Sequence, residues 1–177
     1  MNKYSQASTA GVDCDLAPWR LRGLGVLRIL FGLIWAVDAY FWQPAFTSSV
    51  ASYLTGSLHG QLALVRSWTD FWIRAVNVNP HVFAYLVAIG ETALALGLIL
   101  GLFSNLTDLV GVLLAFIIWS TAEGFGGPYT PGSTDIGASV IYILVFLGFY
   151  LSRAGLWLDL DSCLTPRLGR WSWVASR

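Results

Sequence analysis

The side chains best placed to do chemistry in this chain are acids standing inside apolar sequence. Glu91 is followed by ten residues that are all apolar, Gly, Ala or Thr, and Asp38 interrupts another apolar stretch. A carboxyl inside a bilayer costs several kcal/mol unless it finds a partner, water or a proton, so each is by default a functional residue. Two such carboxyls brought together would hold a proton between them. That arrangement suits quinone or quinol chemistry or proton passage. It also suits a plain buried hydrogen bond.

Helical spacing says what accompanies these acids. Arg28, Phe31, Trp35, Asp38 and Trp42 recur at intervals of three and four, and so share one face of a helix. Asp108, Val112, Ala115, Trp119 and Glu123 form a second stripe, and Asp135, Ser139, Tyr142 and Phe146 a third. At about 1.5 Å per residue, Asp38 and Glu91 fall roughly 5 Å apart in depth, in the outer half of a membrane. Glu123 and Asp135 fall above them. We expect Trp35, Trp119 and Tyr142 to line the pocket, with Glu123 and Asp135 at its mouth. Asp135 also reads as an N-cap, and Glu123 as an interfacial carboxylate in water. Arg28 and Asp108 lie at similar depth in the inner half and pair. Arg66 and Arg74 are the counter-charges available to the outer acids. Gly97 and Gly101 form a GxxxG motif for close helix packing, and Gly126, Gly127, Pro128 and Gly132 shape a loop or lid.

The elements that must position these groups follow from composition. Of 177 residues, 56% are hydrophobic and only 11% charged, with no net charge. Soluble domains carry about 25% charged residues. This argues against a soluble enzyme, and the lack of a basic surface against nucleic-acid binding. The expected class is an all-α integral membrane protein, a four-transmembrane-helix bundle forming a single membrane domain over 1–177. The spans are placed at 24–42, 83–103, 106–123 and 135–152. Amphipathic interfacial helices at 45–55 and 61–76 join the first two. Basic residues cluster before the first span (Lys3, Arg20, Arg22) and after the last (Arg153, Arg167, Arg170, Arg177), so both termini are expected in the cytoplasm. Residues 1–18 lack the layout of a cleaved signal peptide.

Cys14 and Cys163 form no C-x-x-C motif, and His59 and His81 stand outside the spans. Neither haem nor metal is therefore expected. A site built from His59, His81 and the outer carboxylates is the weaker alternative.

Arg28-Ile-Leu-Phe-Gly32, the amphipathic segment after it and Gly90-Glu91-Thr-Ala-Leu-Ala-Leu-Gly97-Leu-Ile-Leu-Gly101 together resemble the DoxX-like superfamily of small four-helix membrane proteins. The DoxD-like proteins within it are the nearer likeness. Gly126-Gly-Pro-Tyr-Thr-Pro-Gly-Ser-Thr-Asp135-Ile-Gly is similar to a segment of theirs. The resemblance covers about residues 20–155. It implies a prokaryotic cytoplasmic-membrane protein, a quinone as cofactor, reduction of that quinone by a sulfur compound such as thiosulfate, and a partner subunit. Arg28 and Glu91 are the positions that match the family pattern. The rival expectation is a non-catalytic accessory or assembly subunit of a larger respiratory or transport complex. A small transporter is a third, disfavoured by the lack of an inverted repeat.

Overall fold

A computed structural model describes residues 18–58, 60–127, 136–154 and 160–175. Every regular element among them is helical: α1 (Pro18–Gly56), α2 (Ala63–Val78), α3 (Pro80–Leu100), α4 (Ser104–Thr121), α5 (Ala138–Ser152) and α6 (Asp161–Leu168). Short 3-10 turns follow α4 (Gly124–Gly126) and α6 (Gly169–Val174). Three segments are long and apolar enough to cross a membrane: Trp19–Tyr40, Pro80–Leu100 and Ser104–Thr121. Only 33% of each is buried within the chain. Their outward faces carry exposed Leu30, Ile34, Leu86, Ile89 and Leu113, as lipid-facing helices do. α5 is as apolar but has 15 residues, about 22 Å against a hydrocarbon core of about 30 Å. Asp135, the expected start of that span, lies outside the described residues.

The largest departure from expectation is α1, which absorbs the helix expected at 45–55 and runs unbroken for 39 residues. Pro44 removes one helical hydrogen bond. The helix nevertheless continues, because Val50 and Leu54 bury against Val76 of α2 and Ala84 of α3. Its path is not straight beside α4. Phe31 packs on Phe146 at 5.1 Å, and Phe146 lies over Gly111, while Ser57 Oγ donates to the Thr121 carbonyl at 3.0 Å. From Phe31 to Ser57 α1 travels about 39 Å, whereas from Gly111 to Thr121 α4 rises only about 15 Å. The last turns of α1 therefore lean across the end of the bundle and roof it.

That roofed end is called apical here, and the end holding the α3–α4 turn basal. Asn79-Pro80 opens α3: Asn79 Oδ1 accepts from the Val82 N–H at 3.3 Å, and proline occupies the first turn. Gly101, at φ 61°, closes α3.

Close approach between helices is set by three glycines. A Cβ at Gly32 would meet Leu98 and Ile99, one at Gly97 would meet Thr107, and one at Gly111 would overlap the Phe146 ring. Gly97 of the GxxxG motif thus serves the α3–α4 contact within this chain, and Gly101 closes α3. Around these crossings sits the core of Phe31, Trp35, Leu94, Leu98, Phe146 and Phe149.

The basal end is closed by the tail. Asp161 is fully buried, and its oxygens accept from the backbone N–H groups of Phe103 (2.6 Å) and Ser104 (2.8 Å). Asn105 Nδ2 donates to the carbonyls of Trp173 and Ala175, both at 3.0 Å. The orphan donors at the start of α4 are thereby satisfied from residues far along the chain.

Candidate functional site

Under the leaning end of α1 lies a cavity of about 260 Å³. Its walls are built by helical spacing. α1 supplies Trp35 and, one turn on, Asp38; α3 supplies Val87, Ala88 and Glu91; α5 supplies Ser139 and Tyr142; Val50, Leu54, Trp72 and Val76 roof it. Glu91 is 7% exposed and Trp35 2%. Asp38 is the charged neighbour of both Glu91 and Tyr142, and Glu123 is a further neighbour of Tyr142. Among the described residues lining the cavity there is no Lys or Arg.

Glu123 is held rather than free at this mouth. Its carboxylate accepts from the Ser139 N–H at 3.2 Å and from Ser139 Oγ at 2.8 Å, and so caps the start of α5. Gly137, at φ 96°, makes this possible, because any Cβ there would strike Glu123 Oε2 and the Trp119 ring. Glu123 thus performs the capping that was also weighed for Asp135, which lies outside the described residues.

The sequence candidates therefore divide. Trp35, Asp38, Glu91, Glu123 and Tyr142 meet in the cavity wall. Trp119 does not join them: its Nε1 donates to the Ile136 carbonyl at 2.7 Å, and its ring stacks edge-on with Phe125 at 5.1 Å. It steadies the approach to α5 from outside the cavity. Arg28 is buried at the basal end, where Asp108 has both it and Asp161 as charged neighbours. Arg66 and Arg74 do not serve the acids either. Both are exposed, and α2 turns Thr69, Trp72 and Val76 inward instead. His59, Cys14 and most of the Gly-Pro loop lie outside the described residues.

Two contributors were missed. Trp72 shares the apolar stripe of α2 with Trp68, and periodicity alone does not say which indole faces in; Trp68 is 38% exposed. Asp161 carried one signal, an acid in the first turn of a short helix, but its contacts lie 57 and 58 residues away in sequence. No known protein family, curated protein or solved structure matches this chain.

Proposed function

We propose that the chain is a DoxD-like membrane subunit of a quinone-linked respiratory oxidoreductase, with its quinone and proton site in the apical cavity. On this reading α5 is the fourth span of an inner-membrane bundle, α2 lies in the interface, and both termini face the cytoplasm. The apical end then faces outward. The observation that carries the reading is the meeting of Asp38, Glu91, Tyr142 and Trp35 in one largely apolar cavity. At about 260 Å³ it lies just below the usual range of drug-sized ligand pockets and suits a head group of one or two rings.

A bound quinone supplies a two-electron, two-proton acceptor, with the electrons drawn from a reduced sulfur compound such as thiosulfate through a partner subunit. This chain's own residues handle the protons and the fit. Glu91 and Asp38, as neighbouring carboxyls on the cavity wall, are groups that keep and release protons there. Tyr142 has Asp38 and Glu123 as charged neighbours and brings a phenol hydroxyl to this group of acids. Trp35, packed at 5.8 Å from Phe146, gives a rigid ring face.

Titration of the purified chain with a short-chain quinone checks this reading, together with turnover of the assembled complex. Saturable binding and at least a tenfold loss of turnover in Glu91→Gln are expected, within the range that positioned proton transfer contributes. Absence of binding together with unchanged turnover in that variant would defeat it.

A further inference from the structure

Two hydrogen-bond donors in the cavity walls have no partner among the described residues. Trp35 Nε1 and Trp72 Nε1 are both buried and make no hydrogen bond. The contrast with Trp119 is direct. That indole stands outside the cavity and its N–H is satisfied by the Ile136 carbonyl. The indole N–H can only donate, and buried donors are almost always paired in folded proteins. The two tryptophans stand on different elements, α1 and α2, and both line the same cavity.

Charge narrows what could complete them. Asp38, Glu91 and Glu123 all line the cavity, and no Lys or Arg does. An anion brought there would meet three carboxyls and, among the described lining residues, no Lys or Arg, so carboxylates, phosphates and sulfur oxyanions are poor occupants. Most of the remaining wall is aliphatic or aromatic, so the occupant's body must be apolar.

We infer that the apical cavity takes a neutral, ring-sized carbonyl compound whose oxygen accepts from Trp35 Nε1, with Trp72 Nε1 as a second donor, and that it excludes anions. This deepens the quinone reading and rests on the same cavity. It also adds a consequence: the sulfur-compound anion that gives up electrons binds elsewhere, on the partner subunit. Trp35 and Trp72 are then binding residues for a carbonyl oxygen, and the three acids act as a filter against anionic ligands.

The experiment titrates the full-length chain in diether phosphatidylcholine nanodiscs with menadione, acetonaphthone and methylnaphthalene. These probes carry two, one and no carbonyl groups on the same ring body. Menadione and acetonaphthone should bind at least tenfold more tightly than methylnaphthalene. Trp35→Phe keeps a six-membered aromatic ring but removes the N–H together with the pyrrole ring, and should weaken both carbonyl probes about tenfold more than it weakens methylnaphthalene, the worth of one hydrogen bond. Saturable methylnaphthalene binding in that variant verifies that the cavity still forms. Trp72→Phe should act in the same direction, and millimolar thiosulfate should not compete.

The inference is overturned if all three probes bind alike, if both Phe variants bind menadione as the wild type does, or if thiosulfate displaces it. Acetonaphthone binding that depends on Trp35, without menadione binding, would uphold the carbonyl site and defeat the quinone reading. Weaker menadione binding in diester than in diether lipid would uphold the same donors and identify a phospholipid ester as their resident carbonyl.

Discussion

At the basal end, Asp161 is fully buried, yet its two oxygens are taken up by the Phe103 and Ser104 amides, and Asp108 has the Arg28 guanidinium as a neighbour. At the apical end, Asp38 and Glu91 border a cavity that no Lys or Arg lines. The residue types are the same and the surroundings opposite. Asp161, its oxygens occupied by backbone donors, holds the tail against the α3–α4 turn. Asp38 and Glu91 instead line a space that a ligand can enter. Burial of charge alone therefore does not mark a site; what the charge faces does.

The comparison is broken most sharply at Asp161. Asp161→Ala would leave the Phe103 and Ser104 amides without their acceptor, a loss of about 2–6 kcal/mol. Thermal unfolding in detergent measures it, and quinone affinity of the folded protein should be unchanged. A loss below about 1 kcal/mol would show that the basal cluster is not architectural. Gly111→Ala comes next. Its methyl would push the Phe146 ring, which packs on Trp35 at 5.8 Å, at a cost of about 1–3 kcal/mol. Because Trp35 lines the cavity, this variant should lower quinone affinity as well as the unfolding midpoint, unlike Asp161→Ala.

The apical cap is smaller in effect. Glu123→Ala should cost about 1 kcal/mol, seen as faster hydrogen exchange at the Ser139 amide, with the basal end unaffected. Trp119→Phe removes one hydrogen bond, worth about 0.5–1.5 kcal/mol. It should leave carbonyl-ligand affinity alone, in contrast to Trp35→Phe.

Much of this division was legible in local spacing. The intervals of three and four that join Arg28, Phe31, Trp35 and Asp38 place them on one helical face, and the rise per residue puts Arg28 level with Asp108 and Asp38 near Glu91. In the fold Asp38 is a charged neighbour of Glu91, and Arg28 of Asp108. What escaped was long-range. The continuation of α1 past Trp42 depends on Val50 and Leu54 finding α2 and α3, and no local signal announces that. The choice between Trp68 and Trp72 depends on the rotation of α2. Asp161 and Glu123 act as caps for helices that begin elsewhere in the chain, so their roles appear only once those helix ends are brought to them. Trp119 matched the stripe of Glu123 but was drawn away by the Ile136 carbonyl.

The most direct measurement compares the rise in unfolding midpoint for the wild type, Trp35→Phe and Asp108→Asn on adding menadione at a hundred times its wild-type Kd. That concentration stabilises the wild type by about 2.7 kcal/mol, enough to read as several degrees. The account predicts that Trp35→Phe, binding menadione about tenfold more weakly, loses about half of that rise. Asp108→Asn should lower the ligand-free midpoint and keep the rise. The reverse pattern, with the rise reduced in Asp108→Asn and kept in Trp35→Phe, would contradict the assignment of architecture to one end of the bundle and chemistry to the other.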